Sequence, residues 1–144
     1  MAESLFRHKV KLAGLTECFQ IDSAGTGNWH EGHNPDRRTL KVLAQNGITE
    51  FSKARQVRTG DFGDYDYVVA MDEQNVRDLH QWNGAIESKV SLMLGWVPLS
   101  SVREVPDPYY GDEQDFEAVY ELLDDATAKL LNELIEIHDL PRTP

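Results

Sequence analysis

Apolar residues Ala2, Leu5, Phe6, Val10 and Ala13 recur near a 3.6-residue period, with Glu3, Arg7, His8 and Lys11 at the other positions, which predicts an amphipathic helix over 2–13. The run CFQIDSAGTG (18–27) reads as a strand entering a Gly-containing loop. NPDRRTLKVLAQNGI reads as a helix, with Asp36 near its start and Gly47 just past its end. ARQVR has the look of a short strand, TGDF of a turn capped by Thr59, and YDYVVAMD of a buried strand that delivers Asp72 to its C-terminal end. Asp72 is then placed to cap a helix over EQNVRDLHQWN, and SKVSLML follows as a weak strand. From Phe116 onward, Val119, Tyr120, Leu123, Ala126, Leu130, Leu131 and Leu134 mark a long amphipathic helix, preceded by Asp112, Glu113 and Asp115, whose charges favour a helix N-terminus.

This alternation predicts an α/β fold built on a parallel sheet, with ligands taken at the C-terminal ends of the strands. Its beginning is odd. The first helix has no strand or loop ahead of it, although such a loop would make its N-terminus an anion site. Either the fold is unusual or a first strand and loop are absent from the sequence.

At 144 residues and 40% hydrophobic, the chain is sized for one domain, taken as 1–144. A net charge of −11 with no Lys/Arg run argues against nucleic acid as a partner, so any phosphate site must be local. The single cysteine, Cys18, excludes an internal disulfide and a Cys-rich metal site and fits a reducing compartment. No signal peptide or membrane span is visible, and a cytoplasmic location is expected.

The stretch VPDPYYGDEQDF holds the most pointed candidate for chemistry. Asp107 lies between Pro106 and Pro108, which restrain the backbone on both sides. A carboxylate on so stiff a loop suits a group that meets a substrate in one geometry, with Tyr109 and Tyr110 excluding water; on this stretch alone an ordinary loop with Asx-type turn chemistry is the preferred reading. His30 and His33 flank Glu31 in WHEGH, a weak metal pattern that reads better as a solvated loop, so no metal site is expected. Cys18 sits in an apolar-flanked segment and reads as an inert strand cysteine.

Taken together, MAESLF, DSAGTGNWHEGHNPD, ARQVRTGDFGDYDYVVAMDEQN and DPYYGDEQDFEAVYELL, in this order, resemble the low-molecular-weight protein tyrosine phosphatases over nearly the whole chain. The resemblance implies a doubly wound, flavodoxin-like sheet of about four parallel strands flanked by helices. It also implies hydrolysis of phosphotyrosine through a phosphocysteine intermediate, without metal or organic cofactor, on a phosphotyrosine protein or a small aryl phosphate. By the same resemblance Asp107 is the general acid, Trp29, Tyr109 and Tyr110 are substrate-binding rim residues, and Ser23 and Asp72 support the phosphate loop. For Tyr110, burial against the loop is an alternative to substrate contact. For Ser23 and Asp72, a turn hydroxyl and a helix cap are roles that can hold simultaneously.

The resemblance also marks a departure. Family members carry the nucleophile in a C-x5-R loop just ahead of the segment matching MAE, and the expectation is a chain truncated at its N-terminus, without that loop or the first strand, and therefore inactive. Cys18 does not restore the motif, because position 24 is Ala. Loss of an inner strand would leave buried backbone groups unpaired at about 1–3 kcal/mol each, so the chain is expected to be marginally folded or rearranged around the gap. Two alternatives stand beside the phosphatase: a catalytically dead pseudophosphatase or strand-accepting binding protein, and, ranked below it, an arsenate reductase.

Overall fold

The computed structural model describes residues 1–82 and 89–142. Among the described residues, five α-helices and two strands follow in the order α1 (Ala2–Leu12), α2 (Arg37–Gln45), α3 (Asp61–Asp64), β1 (Val68–Ala70), α4 (Glu73–Leu79), β2 (Val90–Leu92) and α5 (Glu113–Ile137). Short 3-10 turns at Thr16–Cys18 and Met93–Trp96 follow α1 and β2. The predicted ends at Asn83 and Ser88 lie outside the described residues.

Local chemistry sets the helix ends. Asp36 accepts the Arg38 amide at 2.8 Å as N-cap of α2, and Gly47, at φ +77, takes the left-handed conformation that closes the same helix. Asp72 and Asn75 form a reciprocal capping box on α4, as Asp112 and Asp115 do on α5. Thr59, expected as the cap of the TGDF turn, does not cap it; the Asp61 carboxylate takes the Arg58 amide at 2.8 Å and ties that turn to the Arg55 guanidinium at 2.9 Å.

The core follows the helical periodicity. Phe116, Val119, Leu123, Ala126, Leu130 and Leu134 of α5 are buried, and α5 packs along α1 and α2, enclosing Leu5, Leu43, Ile48, Met93, Leu94 and Val105. β1 has a covered face on each side. Val69 meets this cluster, while Val68 and Ala70 meet Val57, Phe62 and Leu79, as the two-residue alternation of a strand requires.

β1 and β2 pair in parallel, Val69 opposite Ser91, and form the two-stranded sheet of the described residues. The resemblance implies about four strands, the first of them expected to be absent from this chain; the described residues hold two in a sheet. The backbones of the 18–27 and ARQVR segments pair in a single parallel bridge between Gly25 and Gln56, after Phe19 has turned into extended backbone at φ −128, ψ 138. An extended segment becomes a strand only when a neighbour lies about 4.8 Å away to complete its ladder, and neither segment ladders with β1. Cys18 is likewise not a strand residue; it is exposed at the end of a 3-10 turn.

Candidate active site

β1 ends at Ala70, and the chain passes through Met71 to the α4 cap Asp72. At the same end, the Val105 amide donates to the Met71 carbonyl at 2.8 Å, so the loop carrying Asp107 leaves from the C-terminal end of the parallel strand. Asp72 and residues Val102 to Pro106 line a shallow open cleft of about 450 Å³ there. Glu104 and Arg103 lock its wall to α4: a Glu104 carboxylate oxygen accepts the Glu73 amide at 2.8 Å, and Arg103 pairs with Glu73 at 2.8 Å.

Asp107 is exposed beyond that wall. Its Oδ1 accepts the Tyr109 amide at 3.0 Å, and the Gly111 amide donates to the Pro108 carbonyl at 2.8 Å, closing a tight turn with the two tyrosines at its corners. Their rings meet edge to face with centroids 5.0 Å apart. Tyr109 is about half exposed and Tyr110 is 98% exposed, so Tyr110 is not buried against the loop. The predicted Asx-type turn and an exposed carboxylate flanked by rings are therefore one arrangement.

Trp29 lies on a different loop and is 80% exposed. Its indole rests across Gly27, where any Cβ would collide with the ring, so that glycine admits the tryptophan's placement. The Gly25–Gln56 bridge and a contact of 3.4 Å from the Thr26 hydroxyl to Asp78 of α4 anchor this loop. His30 and His33 lie with ring centroids 5.8 Å apart, and no group of three His, Cys, Asp or Glu side chains among the described residues is arranged to hold a metal.

Ser23 points to a different partner from any read in the sequence. Its hydroxyl donates at 2.6 Å to Glu3 of α1, whose other carboxylate oxygen accepts Ser52 at 2.6 Å and Arg7 at 2.8 Å. Arg7 also donates to the Ile21 carbonyl. Glu3, placed by the periodicity on the polar side of α1, is buried. Burial works to raise its proton affinity, and the bonds from Ser23, Ser52 and Arg7 outweigh it, holding the carboxyl below the usual glutamate range. Burial also depresses the Met1 amino group, against the pull of Glu3. A pattern within one helix could not reveal these partners, which come from chain positions 20 and 49 residues away.

A parallel α/β pair with a loop leaving its C-terminal strand end is the arrangement in which doubly wound folds take ligands. The family model described as low molecular weight phosphotyrosine protein phosphatase matches residues 1–139, and the chain belongs to that family. It is 40% identical over 136 residues to the low molecular weight phosphotyrosine protein phosphatase of Schizosaccharomyces pombe, covering 93% of this chain and 87% of the relative. The human protein of that name is 35% identical over 124 residues, covering 84% and 78%. Among solved structures, a protein tyrosine phosphatase of Entamoeba histolytica with Hepes in its active site superposes with a TM-score of 0.86 at 36% identity, covering 94% of this chain and 87% of that one. YfkJ from Bacillus subtilis gives a TM-score of 0.86 at 34% identity, covering 95% and 86%. The rearrangement expected around a gap is thus not seen, since the chain keeps the arrangement of these proteins. The family match runs from residue 1 and lends no support to a segment missing ahead of it.

Proposed function

We propose that this chain supplies the acid side and aromatic rim of a phosphotyrosine phosphatase site, and that its 144 residues do not by themselves hydrolyse phosphate esters. The observation that carries the reading is the Asp107 turn: an exposed carboxyl held by one backbone amide, with two tyrosine rings beside it, at the C-terminal end of a parallel strand. A departing phenolate, whose conjugate acid has a pKa of about 10, leaves poorly at neutral pH. Asp107, protonated, gives its proton to the aryl oxygen as the phosphorus–oxygen bond breaks, and as carboxylate it then takes a proton from the water that attacks the phosphoryl group. Trp29 and Tyr109 present flat faces to the aryl ring, with Tyr110 at the rim. Ser23 and Asp72 support the adjoining backbone, Ser23 through Glu3 and Asp72 through the α4 cap.

The nucleophile is the part these residues do not contain. Cys18 is the sole cysteine, and the residue six positions on is Ala24. The family resemblance calls for a cysteine thiolate in a C-x5-R loop, on a further parallel strand of a sheet of about four. The substrate class is a phosphotyrosine protein or small aryl phosphate.

The test compares hydrolysis of phenyl phosphate and a phosphotyrosine peptide by the chain alone and by the chain joined ahead of Met1 to a strand and C-x5-R loop taken from a relative. The chain alone is expected to show no turnover above buffer and the joined form to be active, with Asp107→Asn lowering its kcat on phenyl phosphate by about 10²- to 10⁴-fold. Turnover by the chain alone would overturn the division of labour. Full activity of Asp107→Asn in the joined form would remove Asp107 as the acid.

A further inference from the structure

Arg38 was not among the residues singled out in the sequence, yet its guanidinium donates to two backbone carbonyls of the Asp107 loop. It stands in the first turn of α2, and four of its bonds converge there. Nε and one Nη2 hydrogen reach the two carboxylate oxygens of the cap Asp36 at 3.1 and 2.9 Å. Nη1 donates to the Gly111 carbonyl at 2.8 Å and Nη2 to the Tyr109 carbonyl at 2.9 Å. The guanidinium carbon lies 4.3 Å from the centroid of the buried Phe116 ring on α5. A planar fork with five N–H donors can span two carbonyls and a carboxylate in one plane, and a lysine ammonium cannot.

The bonds form a relay with a direction. Asp36 caps α2 through the Arg38 amide and aligns the Arg38 side chain; Arg38 holds the Tyr109 and Gly111 carbonyls; the Tyr109 amide in turn holds Asp107 Oδ1. The Arg38 hydrogen bond pulls the Asp36 carboxyl below the usual aspartate range, so this pair stays charged throughout the neutral range. Lys41, one turn further along α2, pairs with Glu113 at 2.9 Å and closes the same seam. The Asp107 turn, shaped by its own local bonds, is thus also tied through Arg38 to α2 and α5, two elements packed into the main core.

We propose that Arg38 is the positioning residue for the proton-donating carboxyl, fixing the direction of Asp107 through the Tyr109 peptide. This rests on the reading of Asp107 as the acid, but its own claim concerns the turn and can be tested apart from turnover. The experiment is NMR of the 144-residue chain and of Arg38→Met. In the parent, the order parameters of Asp107 to Gly111 are expected near the rigid value of about 0.85, and the Tyr109 amide proton shift is expected to follow protonation of Asp107 on acidification. In Arg38→Met the same amides are expected to fall below about 0.6 and the Tyr109 shift to lose its dependence on that carboxyl, while the α5 amides keep their parent values.

Arg38→Lys preserves charge and helix position, so it carries the test if the methionine variant does not fold; a single ammonium is expected to leave the turn loosened. A Tyr109 amide that stays rigid and still tracks Asp107 in whichever variant folds would overturn the proposal. A neutral Asp107→Asn result in the joined enzyme would instead remove the acid reading and leave this coupling intact, so the two failures are distinguishable.

Discussion

Two carboxylates in this molecule sit at opposite extremes. Glu3 is buried at the start of α1 and accepts bonds from Ser23, Ser52 and Arg7, joining three stretches of chain. Asp107 is exposed at the end of a stiff loop and accepts one bond, from Tyr109. The first cannot take up a proton without leaving several donors unsatisfied, so its charge belongs to the fold. The second carries one bond from a backbone amide, and no buried donor relies on its charge. The number and burial of acceptor bonds therefore separates a charge the fold depends on from one it does not.

The largest effect should come from Glu3→Ala. It removes the common acceptor of two hydroxyls and a guanidinium, and we expect a loss of roughly 3 kcal/mol. That is the low end for breaking a buried ion pair, because the Arg7 side chain is 40% exposed. Thermal unfolding checks it, with a fall in Tm on the order of 10 °C for a chain of this size. A fall under about 2 °C would mean that solvent replaces the network freely.

Acid sharpens the contrast. The Glu3 carboxyl is depressed in the folded chain, so its contribution is fully present above the unfolded value of about 4.3 and is lost as pH falls through the lower folded value. Asp36 and Asp61 are depressed as well: Asp36 chiefly by the Arg38 bond, and Asp61 by Arg55 and the Arg58 amide, which overcome its burial. They add to the loss in the same direction. Urea unfolding at pH 6 and pH 3 should show the parent losing more stability than Glu3→Gln, which lacks the Glu3 share. Equal losses would contradict the depressed carboxyl.

A smaller effect is expected at the start of α5. A Cβ on Gly111 would lie 2.8 Å from Asp115 Cγ, too close for the side chain to keep its bond of 2.9 Å to the Asp112 amide. Gly111→Ala should therefore open the capping box and cost about 1 kcal/mol, read as a lower urea midpoint with unchanged slope. It also strains the turn that Arg38 holds through the Gly111 carbonyl.

These cases show what a sequence makes readable. The α2 cap at Asp36, the stop at Gly47 and the apolar stripe of α5 were legible because each depends on residues within a few positions. The Asp107 turn was legible for the same reason, as proline restraint and Asx chemistry are local. Strand lengths were not, since a ladder needs a neighbour that local pattern does not specify; 18–27 and ARQVR have the composition of strands and share one bridge. Glu3 was legible only as a residue off the apolar face of α1, because Ser23 and Ser52 arrive from elsewhere in the chain. Arg38 escaped for a like reason, its loop acceptors Tyr109 and Gly111 lying 71 and 73 residues on. Residues that position a site are hard to read because they act at a distance along the chain.

The smallest stability effect belongs to Asp107→Asn, and its smallness is the informative part. An asparagine Oδ1 can still accept the Tyr109 amide, and no buried donor depends on the carboxylate charge, so the change should stay within about 0.5 kcal/mol by urea unfolding. On the proposal that Asp107 is the acid, the same substitution removes the transferable proton, so in the form carrying a C-x5-R loop it should cost far more in turnover than in stability. A loss of 2 kcal/mol or more on unfolding would put Asp107 beside Glu3 as a structural charge, and any fall in turnover would then have to be read as damage to the turn. Stability held constant while phenyl phosphate turnover collapses would assign the loss to the proton itself, because the geometry that Arg38 and Tyr109 maintain would be unchanged.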